Sequence, residues 1–229
     1  MLKKTIPHIV YFLLFAIHMY SISEDLSSLR MATKPLICLV LVAYLFQKTK
    51  LKSGFQKLVA GGLVFGLIGD VLLMLPNKFL FGLAAFLIGH LFYVVAFYKQ
   101  IYGIKLNEHK IHLFIALLLS LYSYNFYTLL SPSLGIEKYP VILYIFVIAL
   151  MAYFAFLRRY QTNSWSFLAI MLGAVLFIIS DSILAANKFV AYIANSGLLI
   201  MSTYMLAQYG ITLGTVLDNN KKITPVSIN

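Results

Sequence analysis

Residues 67–79 read LIGDVLLMLPNKF, and residues 178–189 read IISDSILAANKF. Each stretch sets one aspartate, Asp70 or Asp181, inside a long apolar run and follows it with Asn-Lys-Phe. The surrounding chain is of the same kind. Of its 229 residues, 62% are hydrophobic and 11% charged, and the mean hydropathy is +0.90. A soluble domain carries about 25% charged residues. The chain therefore reads as an integral membrane protein, and a carboxylate in such a run requires a reason.

A helix needs about 20 apolar residues to cross the hydrocarbon core. Eight candidate spans follow, at residues 7–22, 34–46, 55–75, 79–99, 111–130, 139–157, 165–186 and 189–213. The second is short and can extend back into SSLRMAT, residues 27–33. Connections are brief, so the expectation is an all-α polytopic helix bundle, one membrane domain over 1–229 with a polar tail at 219–229.

The net charge of +11 would suggest nucleic acid in a soluble chain. In a membrane chain the positions of the basic residues matter more than their sum, and no nucleic-acid partner is expected. With the N-terminus cytoplasmic, the inner side holds Lys3, Lys4, Lys48, Lys50, Lys52, Lys57, Lys99, Lys105, Lys110, Arg158, Arg159, Lys221 and Lys222. The outer side holds Arg30, Lys34, Lys78, Lys138 and Lys188. Thirteen against five follows the positive-inside rule and places both termini inside. The start, MLKK before an apolar stretch, resembles a secretory signal, but the internal repeat described next predicts that span 1 is retained.

Aligning Asp70 with Asp181 also aligns Gly62 with Gly173, Gly69 with Ser180 and Leu73 with Leu184. One gap then brings residues 77–79 onto 187–189. TKPLICL from Thr33 resembles EKYPVIL from Glu137. The chain thus reads as two parallel four-helix halves, about 1–105 and 106–218.

Asp70 lies six residues before Pro76, and Asp181 six before Asn187. At 1.5 Å per residue both sit ~9 Å below the outer helix ends. A charge deep in lipid costs about 2.5–3.5 kcal/mol on insertion scales, so such residues face the bundle interior and mark function. Gly62, Gly66 and Gly69 line the Asp70 face, where small residues let helices approach. His90 falls near mid-membrane on span 4, with Tyr93 and Phe97 on the same face. Lys34 opens span 2, placed to meet a lipid phosphate or an aspartate. Asn195 and Tyr204 on span 8, and Tyr124 and Asn125 on span 5, are candidate polar wall residues. His8 and His18 have no evident partner. The single cysteine, Cys38, allows no intrachain disulfide or thiolate cluster. No metal-binding spacing occurs, so neither metal nor cofactor is expected. The sixteen Tyr and eighteen Phe suit aromatic belts and packing.

TKPL at Thr33, GDVLLM at Gly69, GHLFY from Gly89 and GAVLFIISDSILAANKF from Gly173 resemble the YhhN-type lysoplasmalogenase-like membrane proteins over nearly the whole chain. The resemblance implies an eight-span enzyme that hydrolyses the vinyl ether of lysoplasmalogens to a fatty aldehyde and glycerophospho-ethanolamine or -choline. It makes Asp70 and Asp181 the counterparts of the family's paired aspartates, the catalytic pair, and matches His90 to the family histidine, the third candidate catalytic residue. It implies a lysophospholipid substrate drawn from membrane lipid. From their positions in the spans, Lys34, Tyr93 and Asn195 are the residues expected to bind it, and the topology with its short loops suits a cell membrane, the bacterial cytoplasmic membrane first. The chemistry needs one proton donor to the β-carbon and one carboxylate to stabilise the oxocarbenium ion or activate water, as glycosidases arrange around a similar cation. The competing expectation is a proton-coupled transporter of small molecules or lipids using the same carboxylates. A third is a scaffold that tolerates Asn at both sites. Nothing in the sequence specifies an oligomeric state.

Overall fold

The computed structural model describes residues 2–101, 109–160 and 162–218, with backbone alone for 2–4. Lys105, Lys221, Lys222, the side chains of Lys3 and Lys4, the 105/106 half boundary and the 219–229 tail lie outside this description. The described residues form eight helices and no strand: α1 (Leu2–Ser23), α2 (Ser27–Thr49), α3 (Gly54–Met74), α4 (Phe79–Tyr98), α5 (His109–Leu130), α6 (Lys138–Leu157), α7 (Ser164–Phe189) and α8 (Ser196–Leu217). Short 3₁₀ turns follow α5 and α6. In lipid every backbone polar group must be satisfied within its own segment, so uninterrupted helices are the economical solution. Among the described residues, seven helices are long and apolar enough to cross a membrane. The eighth, α8, has the length but carries Tyr204, Gln208, Thr212 and Thr215, all of which it buries against its neighbours. The chain is a multi-pass helical membrane protein.

Local signals set most helix ends. Ser53 accepts from the Gln56 N–H at 3.2 Å while the Gln56 side chain accepts from the Ser53 N–H at 3.1 Å, a capping box that starts α3. Leu75 is extended because it precedes Pro76, and α3 stops there. Helix α2 begins at Ser27, the extension that the sequence reading allows, so Pro35 lies within it and Lys34 sits two turns in rather than at its start. The boundary between the last two helices differs from the sequence reading. Helix α7 runs to Phe189, and α8 begins only at Ser196. The intervening turn is held by the Asn187 side chain, which accepts from the Ile193 N–H at 2.9 Å, and by Asn195 in the left-handed region at φ 56°.

The two Asn-Lys-Phe triplets are consequently not equivalent in structure. Pro76 ends α3, so the first triplet forms a hairpin turn with Asn77 at φ 58° and starts α4. No proline interrupts α7, so the second triplet completes its last turn. The triplets nonetheless meet: the Phe79 and Phe189 rings are 5.8 Å apart, and the Lys188 ammonium lies 5.0 Å from the Phe79 ring.

The tightest helix pairs are α7 with α8 and α3 with α4. A Cβ added at Gly173 would lie 2.8 Å from the Ala207 carbonyl oxygen and 3.0 Å from the Ile211 nitrogen. These are backbone atoms that cannot swing aside, so Gly173 sets the α7–α8 distance. Gly173→Ala is expected to destabilise the protein by about 1–3 kcal/mol, read as a lowered Tm in detergent. Gly54→Ala, where nothing lies within 4 Å of the added carbon, should match or slightly exceed wild type. Equal Tm values for the two variants would refute this packing.

Helix α5 stands at the edge, packed mainly on α6. Tyr124 is 68% exposed on its outer face, and the Asn125 amide donates to its own helix at Leu121 O, 2.7 Å away. The sequence makes both candidate cavity-wall residues; Tyr124 lines a groove between α5 and α6, and neither residue lines the cavity of Asp70 and Asp181 described below. At the end of the bundle where α6 gives way to α7, Arg158 is fully buried between the Phe55 and Phe97 rings, with Asp218 4.0 Å away and Ser166 accepting at 3.4 Å. Thr162 donates to Asp218 at 2.6 Å.

Candidate functional site

A cavity of about 390 Å³ opens near the opposite helix ends, bounded by α1, α2, α3, α4, α7 and α8. Asp70 and Asp181 both line it, together with Lys34, His18, Tyr204 and Ser180. The two aspartates, 111 positions apart in the chain, share one chamber because α3 and α7 both pack against α8.

Their surroundings differ. Asp70 has an ion-pair partner, Lys34 Nζ at 3.6 Å from Oδ1. Its Oδ2 accepts from the Tyr204 hydroxyl at 2.8 Å, and Cys38 Sγ lies 3.9 Å away. Only 2% of its side chain is exposed. Behind Tyr204 runs a hydrogen-bonded chain. The Gln208 amide donates to the Tyr204 oxygen at 3.3 Å, and Tyr93 donates to Gln208 Oε1 at 2.6 Å. Gly66 makes room for this chain: a Cβ there would meet Gln208 Nε2 at 2.7 Å and the Tyr204 oxygen at 3.3 Å.

Asp181 has no Lys or Arg within ion-pair distance among the described residues. Its Oδ2 accepts from the Tyr144 hydroxyl at 2.6 Å, and His90 Nε2 stands 3.8 Å away, beyond a hydrogen bond. The His90 ring is wedged edge-on between Phe177, at 4.9 Å between ring centroids, and Tyr144, at 5.4 Å. Asp181 keeps 16% of its side chain exposed, eight times the share left to Asp70. It is the more accessible carboxylate.

Asp181 also lines a second space, a narrow apolar slot between α4, α5, α6 and α7. Leu73, Phe79, Phe86, Leu184 and Asp181 border both spaces. The slot wall continues with Ile178, Ile148 and Phe126. Beside Asp181, Ser182 hydrogen-bonds to Tyr122 and to the Ile178 carbonyl. Arg30, Lys34 and Lys188 also line the cavity. One chamber thus holds three cationic side chains and two carboxylates, and the apolar slot adjoins it at Asp181.

Asp70, Asp181 and Lys34 lie in this chamber. His90 and Tyr93 lie one layer behind it, His90 beside Asp181 and Tyr93 at the end of the relay to Asp70. Asn195 does not reach it. It is the left-handed residue just before α8 and is exposed to the outside, because α8 starts later than the hydropathy suggests. Tyr144, His18, Arg30 and Lys188 are not among the residues that the sequence assigns to the site. For His18 the available signal is a histidine inside an apolar span, and for Tyr144 there is none. Among the described residues no three His, Cys, Asp or Glu side chains converge as a metal cluster would require.

Residues 29–215 match the YhhN family. The lysoplasmalogenase TMEM86A of Homo sapiens is 35% identical over 161 residues, 68% of this chain and 63% of that protein. The lysoplasmalogenase TMEM86B of Rattus norvegicus is 31% identical over 184 residues, 80% of this chain and 70% of that protein. TMEM86B of Mus musculus is 30% identical over 189 residues, 82% of this chain and 75% of that protein. The chain therefore spans about 63% of the length of the TMEM86A relative. No solved structure matches the chain.

Proposed function

This chain belongs to the YhhN family, and from that premise we propose that it is a membrane-embedded hydrolase cleaving the vinyl ether of lysoplasmalogens. The observation that carries the reading is the position of Asp181, an accessible carboxyl where the cation-lined cavity meets the apolar slot. A lysoplasmalogen has parts to match: a phosphate, a glycerol, an enol ether, an alkyl chain. With the phosphate at Arg30, Lys34 and Lys188 and the chain in the slot, the enol ether falls beside Asp181.

The environments support a division of roles between the two aspartates. Asp70 is the standing anion, because Lys34 and Tyr204 supply a cation and a hydrogen-bond donor to it. Asp181, with no Lys or Arg paired to it among the described residues and the His90 ring 3.8 Å away, beyond hydrogen-bond reach, is the proton donor. It protonates the β-carbon, and the resulting oxocarbenium ion is stabilised by the Asp70 carboxylate. Fixed charges aimed at developing charge in a water-poor site are the largest usual source of rate enhancement. Water adds to the cationic carbon. The hemiacetal then collapses to a fatty aldehyde and glycerophospho-ethanolamine or -choline. Tyr144 is a positioning residue that holds the Asp181 carboxyl by its hydroxyl, and the His90 ring packs edge-on against Tyr144.

The same reading includes eight spans in two parallel four-helix halves, both termini cytoplasmic, as one domain in the cell membrane. Two features support the halves. The third and fourth helices of each are the tightest pairs. In each half, too, the preceding even-numbered helix supplies a partner to the aspartate: Lys34 and Cys38 of α2 for Asp70, Tyr144 of α6 for Asp181.

The test is aldehyde release by purified protein in detergent, with 1-alkenyl lysophosphatidylethanolamine beside its ester analogue. Turnover of the vinyl ether without any gradient is the expected result. Failure to consume either lipid would overturn the assignment. The carboxylates would then be read as coupling groups of a transporter, to be measured in proteoliposomes.

A further inference from the structure

His18 of α1 is fully buried and borders the same cavity as Asp70, Asp181 and Lys34. It lies five residues from the end of α1, ~8 Å in, a depth close to that of Asp70. Its Nδ1 is 2.7 Å from the Thr33 hydroxyl. That hydroxyl is already committed as a donor to the Leu29 carbonyl, 2.8 Å away. A hydroxyl has one hydrogen, so toward His18 Thr33 accepts, and Nδ1 must carry the imidazole proton. Nε2 then presents a lone pair. This nitrogen is buried and has no hydrogen-bond partner. Buried polar atoms are nearly always satisfied, and an orphan at a cavity wall points to a ligand or water that completes it.

We infer that His18 is the general base of this site, taking a proton from the water that adds to the oxocarbenium carbon. The inference rests on the hydrolase reading above. It supplies what the two aspartates leave open. After Asp181 has given its proton to the β-carbon, a water oxygen bonds to the cationic carbon, and one water proton passes to His18 Nε2. The product is the neutral hemiacetal. In the collapse, the bond between that carbon and the glycerol oxygen breaks. The leaving oxygen takes the proton from His18, and the hemiacetal hydroxyl returns its proton to Asp181. The aldehyde forms, and both groups regain their starting states with one water consumed. Thr33 is a positioning residue, because its acceptor role holds His18 in the tautomer that has Nε2 free.

The discriminating variant is His18→Asn. The introduced amide can still donate to Thr33 where Nδ1 did, but it has nothing at the Nε2 position. With lysoplasmenylethanolamine as substrate, kcat is expected to fall about 10²-fold, the scale of losing a general base, with KM and Tm near wild type. His18→Ala, whose loss of packing is larger, serves as the second variant. Added imidazole should restore its rate at least about tenfold in a saturable manner, which a purely structural histidine would not allow. A folded His18→Asn enzyme turning over within about threefold of wild type would overturn the inference while leaving the hydrolase reading intact. So would a His18→Ala enzyme that imidazole does not rescue. Wild-type protein releasing no aldehyde would overturn both.

Discussion

Asp181→Asn is expected to abolish aldehyde release almost completely, with kcat down by about 10²–10⁴ and the fold intact. The substitution is nearly isosteric. The carbonyl of the introduced amide still accepts the Tyr144 hydroxyl now 2.6 Å from Oδ2, so little stability is lost. What disappears is the acidic proton, which an amide cannot give to carbon. Asp70→Asn removes a different function, the standing negative charge beside the cation, and should also cost activity heavily. Proton transfer to carbon remains obligatory in both variants, because the aldehyde carries the new C–H bond. Each should therefore keep a normal solvent isotope effect on its residual turnover. A folded Asp181→Asn enzyme with more than about a tenth of wild-type kcat would remove Asp181 from the chemistry.

The second large effect is expected on stability. Lys34→Met should destabilise the protein by about 3–5 kcal/mol, because it leaves a carboxylate buried without its cation. Asp70 has no solvent to fall back on, with 2% of its side chain exposed. The double variant Lys34→Met/Asp70→Asn removes both charges together and should recover most of that loss, since the introduced amide keeps the Tyr204 hydroxyl as donor. It should recover no activity. Denaturant or thermal unfolding of the four proteins in detergent closes the double-mutant cycle. Additive losses would show that the 3.6 Å contact is not an ion pair of consequence.

The chain's one-dimensional pattern is informative wherever the lipid makes a residue costly. A carboxylate in an apolar run is expensive anywhere but in the bundle interior. Asp70 and Asp181 therefore stand out, as does Lys34. Small residues on the Asp70 face predict close helix approach, and Gly62 indeed meets Tyr93: a Cβ there would run into the ring. Errors arise where a helix end or a helix rotation decides the outcome. Hydropathy puts Asn195 inside a span because it does not register a turn built by the Asn187 side chain and a left-handed residue. The sequence leaves open which cavity Tyr124 lines, and the rotation of α5, set by its neighbours, puts it in the α5–α6 groove rather than beside the aspartates. The matched Asn-Lys-Phe triplets diverge through Pro76, which ends one helix, while its absence lets the other run on.

The sequence by itself determined the membrane class, the helices, and the two aspartates and lysine that lipid would not tolerate unless they faced inward. Those properties follow from each residue's own cost of transfer into hydrocarbon, which requires no knowledge of neighbours. Only the tertiary structure decided that Lys34 and Tyr204 attend Asp70 while Tyr144 and His90 attend Asp181. It alone turned His18 toward the same chamber and set Asp181 at the entrance of the apolar slot. Asp70 and Tyr204 are 134 residues apart, and their meeting depends on which turns of α3 and α8 are level and how each helix is rotated. Side-chain packing across the whole bundle sets that register, and no local stretch of the chain encodes it.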